Sequence, residues 1–410
     1  MSKVASELRR ALLGTALATA AIIGAASPAH AVNIVFADDG TVAGSAAEFG
    51  FNVAARYWES VLTNDVTVNL NISFASFGDP NIIGGASSRL FLMNIQDYQS
   101  ALSASGTTAL DATKVLAPLS AGGVGLGGAS TGAVDVITPG YVDPVNKLGI
   151  DNSKQVFDND KSFNNSVVAV NSSVIKAIGL TGLPAGADGD IQFSSDFAFD
   201  FDPTDGIDAD KIDFISVAIH EIGHTLGFTS GVDDYDFLGR PNGEVAGLFD
   251  DYPVNDDYWG YAMDLFRYTN DPNSPGPGGP QLNWTPGSDG YFSIDGGQTV
   301  YNGGFFSTGA YNGDGRQASH WKDSAKGLPQ LGVMDPTVAF GQMGIIRGLD
   351  LALFDAIGWN PNIDVLSNPN YAFSTARAVP EPATWAQMIL GFGLIGGTLR
   401  RFSGRRYATA

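Results

Sequence analysis

His220 and His224 stand four residues apart, with Glu221 directly after the first, in the stretch HEIGHTLGFTSG (220–231). On a helix, side chains four apart share one face, so both imidazoles can point at a single ion. Neutral imidazole is a good zinc donor, and a carboxylate next to a ligand can move a proton to or from a water beside the ion. The chemistry open to such a trio is metal-assisted hydrolysis. The plainer reading is a pair of surface histidines on an ordinary helix.

A hydrolytic zinc site needs three protein ligands and one open position. The chain has four histidines. His30 falls in an N-terminal segment read below as removed, which leaves His320 in GDGRQASHWKD, 96 residues after His224. Asp233 and Asp234, just past the helix, offer carboxylates as an alternative third ligand. There is no cysteine, so neither a thiolate ligand nor a disulfide exists.

The elements that must position these groups have their own patterns. DFISVAIHEIGHTLGF spaces Ile215, Ile219, Ile222 and Leu226 as an apolar helical stripe, and Gly227 supplies a left-handed stop. Upstream, SAAEFGFNVAARYWESVL (45–62) predicts an amphipathic helix carrying Phe49, Val53, Tyr57 and Leu62. VTVNLNISF alternates Val66, Val68, Leu70, Ile72 and Phe74 as a half-buried strand. Residues 120–132 are Gly/Ser-rich and predict a loop. DIQFSSDFAFDF (190–201) predicts a strand, and we expect it to form the edge along which an extended peptide adds. The Asp-rich run DPTDGIDADKID makes calcium a second candidate cofactor, although it lacks EF-hand spacing. The alternative is a polar turn whose last Asp caps the next helix.

Taken in order, HEIGHTLGF, a long insertion, SHWK, VMDP and a closing LDLALFDAIGW resemble the leishmanolysin-like branch of the metzincin metalloproteases, over roughly residues 190–360. In the short form of that signature the third His follows Gly227 by three residues. Ser230 stands there in this chain, and the leishmanolysin-like form displaces the third His by an insertion. The resemblance implies an α+β zincin fold: a mixed twisted sheet with an active-site helix, a β- and loop-rich insertion, and a C-terminal subdomain. It implies His220, His224 and His320 as zinc ligands, Glu221 as the catalytic carboxylate, Met334 as the Met-turn floor, and a protein or peptide substrate. Two features depart from the family. No Tyr closely follows Met334, and the insertion has no disulfides to hold it. The aromatics of the insertion, in YAMDLFRYT and YFSIDGG, read as a small core in preference to substrate pockets.

The two ends read as addresses. Residues 1–31 combine Lys3, Arg9 and Arg10, an apolar run from Ala11 to Ala26, and the small-x-small site Ala29-His30-Ala31, which is an export signal. At the other end, Ala383 to Leu399 is free of charge and spans about 25 Å as a helix, near bilayer thickness. Arg400, Arg401, Arg405 and Arg406 follow, as a cytoplasmic basic end requires. With Pro380-Glu381-Pro382 before it, the segment 380–406 resembles a PEP-CTERM sorting signal. That resemblance implies export in a Gram-negative bacterium, transient anchoring through the C-terminal helix, and an exosortase-type partner.

The expected organisation is therefore an N-terminal zincin portion (32–231), the insertion (232–319), the segment with third ligand, Met-turn and closing helix (320–360), and a polar linker (361–379). With 43 acidic against 22 basic residues the formal charge is −21. That excludes the basic footprint of a nucleic-acid binder. From a different class, a biofilm or surface matrix protein that keeps a zinc fold for adhesion fits the same sorting signal. An intact Glu221 argues against it, since a structural site has no use for a base.

Overall fold

A computed structural model describes residues 31–379 except 79–81, 244 and 326–327. The export signal, save Ala31, and the whole sorting signal with its apolar run lie outside the described residues. Among the described residues, no helix is long and apolar enough to cross a membrane. Helix and strand take near-equal shares, 25% and 27%, in open sheets, so the α+β class holds.

The main sheet is built from β1 (Asn33–Asp38), β2 (Thr67–Ala75), β3 (Gly84–Ser88) and a fourth strand, β4 (Gly189–Ser194). Their order is β1-β2-β4-β3, with β1 and β4 parallel to β2 and β3 antiparallel to β4. The alternation read from the sequence places Val68, Leu70 and Ile72 in the core. β4, expected to be the edge, is paired on both sides. The edge beside the histidine helix is β3, whose sequence GGASS has no apolar alternation to betray it. Arg89 N donates to Asp188 O and Ser194 N to Ile83 O at the two ends of the β3–β4 ladder. Antiparallel alternation then turns the N–H and C=O groups of Gly84, Ala86 and Ser88 outward.

Helix α1 (Ala46–Val61) and the histidine helix α2 (Phe214–Thr225) pack together beneath this sheet. The stripe of α1 is rotated from the expected one. Phe49 is 40% exposed, whereas Phe51, Ala54, Trp58 and Val61 join Val53 and Tyr57 inside. Gly50 lets the helices touch, because a Cβ there would sit 2.2 Å from the Phe214 ring. Phe51 meets Phe193 and Phe214 at 5.2 and 5.4 Å, edge-on geometries that add to simple burial.

A second sheet shows why the insertion is not a separate unit. Strands β5 (Val136–Asp143) and β6 (Leu148–Asp158) are continued by β7 (Arg267–Thr269), β8 (Gln281–Asn283) and β9 (Tyr291–Phe292), in the order β9-β7-β8-β5-β6. Residues from both sides of position 231 thus share one sheet. Met263, Phe266, Tyr268 and Phe292 of the insertion are buried, as core residues should be. Residues 120–132 form a hairpin, Ser120–Val124 against Ser130–Ala133, where a loop was expected. Its turn uses positive φ at Gly127 and Gly128.

The expected linker is also tied to the core. Helix α3 (Gly348–Ile357) ends at Gly358, φ 126°, after which Asn360 N donates to Asn64 Oδ1 and Val365 is buried. Ala372–Ser374 pairs with Ile345–Arg347. Thr375, fully buried, donates its hydroxyl to Asp213 at 2.5 Å.

Candidate metal centre

Asp213 starts α2 by accepting from Ser216 N (3.1 Å) and, on its other oxygen, from Gly344 N (3.0 Å). This is the capping Asp expected of the acidic run. Asp202 turns onto Thr204 N, Asp208 pairs with Lys211, and Asp200 just upstream accepts from Asp202 N and Asp208 N. Among the described residues, His220, His224 and His320 form the one group of three or more ligand-type side chains close enough to share an ion. The carboxylates of the Asp-rich loop are not part of that group.

The helix fixes the first two rings and its exit fixes their orientation. Gly227 turns at φ 114°, a conformation only glycine adopts freely, and a Cβ there would meet Val174 at 2.6 Å. The turn brings Phe228 O onto His224 Nδ1 at 2.7 Å. His220 Nδ1 lies 2.8 Å from Val333 O, and His320 Nδ1 lies 3.2 Å from Gln317 O. A carbonyl oxygen only accepts, so each Nδ1 carries the ring proton and each Nε2 presents a lone pair. The three Nε2 atoms stand 3.0, 3.2 and 3.2 Å apart. Lone pairs cannot hydrogen-bond to one another. A cation between them satisfies all three, and tetrahedral zinc with bonds of 2.0–2.1 Å sets its nitrogens about 3.3 Å apart. The donor set fits zinc.

Burial reinforces this state. It depresses the His220 ring to about 4 and the His224 ring to about 3, with the neighbouring His220 adding to the second, and it holds His320 well below its ordinary value. All three are neutral at pH 7, as ligands must be. Glu221 lies beside them in the same cleft of about 660 Å³, 6% exposed. Burial alone pushes its carboxyl up to about 8. A Cβ on Gly84 would be 3.6 Å from Glu221 Oε1, so the free edge of β3 runs past the carboxylate.

The remaining expected residues take distinct places. Met334 is fully buried with its sulfur under Gly223, where a Cβ would be only 2.6 Å away, so it forms the floor beneath the histidine helix. Its carbonyl accepts from Trp321 N, the residue after the third ligand. Asp233 is not among the converging groups. It accepts from Ala318 N (2.6 Å), Ser319 N (3.0 Å) and Ser319 Oγ, and so holds the segment that presents His320. Asp234 accepts from Tyr261 Oη. Ser230, in the slot of the short signature, donates to Asp264 Oδ1 at 2.6 Å while its N–H reaches Ser319 Oγ.

Sequence reasoning missed Asp350. Fully buried on α3, it accepts from Trp321 Nε1 (2.9 Å), Val333 N (3.0 Å), Met334 N (3.3 Å) and Arg347 N (2.7 Å). One carboxylate thus ties the third-ligand segment and the Met-turn to the closing helix. Its only sequence trace was an Asp, one of two with Asp355, inside a helix of otherwise apolar residues. Asp350→Ala strands four buried donors, and we expect it to cost about 3–5 kcal/mol of unfolding free energy. Urea melts of the metal-free protein measure this, and a loss below about 1 kcal/mol would contradict the role.

No family model, no curated protein and no solved structure matches this chain.

Proposed function

We propose that this protein is an exported zinc endopeptidase of metzincin type. The observation that carries the reading is the convergence of three proton-free Nε2 atoms, each ring locked through Nδ1 to a carbonyl, beside a buried carboxylate with no other partner.

His220, His224 and His320 would hold the ion on one side and leave its cleft side open. Bound there, zinc would polarise a peptide carbonyl and lower the pKa of a water. Glu221 takes the proton of the attacking water on a carboxylate oxygen and passes it to the leaving amine. A cation bound beside it would favour the ionised carboxylate that the first half of the transfer needs. An extended substrate adds to β3 through the outward groups of Gly84, Ala86 and Ser88, which replaces the β4 edge expected from sequence. Ser88 Oγ donates to His224 O, so this edge is fixed to the histidine helix. The two terminal segments support export in a Gram-negative bacterium, anchoring before processing, and an exosortase-type partner.

The test uses a protein comprising residues 32–379. We expect one zinc per chain, cleavage of an unfolded protein substrate, loss of cleavage with a chelator and recovery on adding zinc. Stoichiometric zinc without hydrolysis would instead favour the matrix or adhesion reading.

A further inference from the structure

The cleft continues past the Met-turn, where Val333, Asp335, Pro336, Thr337 and Val338 face Ser216 and Val217 of α2. Asp335 is only 3% exposed. Its Oδ1 is engaged by Thr337 N and Gln330 Nε2, at 3.2 and 3.3 Å. Its Oδ2 is buried and has no hydrogen-bond partner. A buried carboxylate oxygen left unpaired is costly, and such a cost persists in a fold where something else, a ligand included, supplies the missing partner. Among the described residues no cation is paired with Asp335. The one cation lining the cleft, Arg316, is held by Asp323 at 3.1 Å. The lining on this side combines aliphatic Val217, Val333, Pro336 and Val338 with polar Ser216, Gln330 and Thr337, so the recess offers apolar surface for a stem and a negative group for its end. That is the complement of a long stem carrying a terminal cation. The recess adjoins the metal centre, since Val333 O is bonded to His220.

We propose that Asp335 is a specificity-determining residue that receives a lysine or arginine side chain of the substrate beside the scissile bond. The proposal rests on the peptidase reading for its catalytic consequence, but not for the binding preference itself. The excess negative charge of the whole chain steers such basic segments toward the cleft.

Two measurements on the purified full-length, zinc-loaded protein separate the proposals. In the first, the Glu221→Ala protein binds matched peptides containing arginine or its neutral isostere citrulline, read by calorimetry. In the second, the wild type cleaves the same pairs, and the cleaved bonds of an unfolded protein are mapped by mass spectrometry. We expect about 100-fold preference for the basic peptide in both, as for a buried charge pair. Asp335→Asn should abolish that preference. The wild-type comparison stands even if this variant folds poorly. Hydrolysis without a basic preference overturns the proposal and spares the peptidase. Selective binding without hydrolysis overturns the peptidase and spares the basic recess. Equal binding of both peptides without hydrolysis overturns both.

Discussion

Glu221→Ala is expected to lower kcat by about 10⁴-fold while one zinc per chain remains bound. The carboxylate is not among the three converging nitrogens, and burial is the sole cause of its shift, so the variant loses a proton carrier and no ligand. It should fold at least as well as the wild type. The charged form is disfavoured inside the cleft, with the folded value about 8 against 4.5 for the free group. The folded metal-free protein therefore binds the extra proton on Glu221, whose contribution to stability falls as pH rises from about 4.5 through about 8, against the opposite slope that the three depressed histidines contribute below about 6.5. Glu221→Gln removes that slope. Melting metal-free wild type and Gln variant across this range checks the sign, and a variant that sheds zinc or unfolds would sink the assignment of Glu221 as base.

His320→Ala should abolish stoichiometric zinc. Structural zinc sites bind with about 10–16 kcal/mol shared over four ligands, so losing one ligand, about 2.5–4 kcal/mol, weakens affinity by about 10²- to 10³-fold. Nothing nearby can substitute. Asp233, the obvious carboxylate, already accepts from Ala318 and Ser319, and turning it to the ion would release the very segment it fixes. Asp233→Asn should weaken zinc by a smaller factor, about 10- to 100-fold, as expected for a group that orients a ligand without touching the ion. Metal analysis after dialysis reads both variants. Full zinc retention in His320→Ala would place the third ligand elsewhere.

The sequence made the histidine helix plain because its evidence is local: two rings one turn apart, an apolar stripe, a capping Asp213 and a turning Gly227. His320 was legible by scarcity, being one of four histidines. What positions it was not, because Asp233 and Asp350 act across 86 and 29 residues and leave no periodic trace. β3 escaped because Gly and Ser carry no alternation, and its neighbour DIQFS, with a stronger pattern, drew the edge assignment instead. The insertion strands run only two or three residues, too short for a period to register. The stretch 361–379 read as a linker because isolated bonds to residues far away in the chain, Asn362 Nδ2 to Ser60 O and Thr375 Oγ1 to Asp213, fasten it without apolar spacing.

The interior aspartates have one more consequence. Asp213, Asp233, Asp264 and Asp350 clasp loops of the kind that disulfides hold in cysteine-rich chains, and this chain has no cysteine. Each clasp can open and close again without any electron changing hands. No mispaired crosslink can trap the chain, so its assembly needs neither an oxidant nor a shuffling catalyst, and a reductant has nothing in it to break.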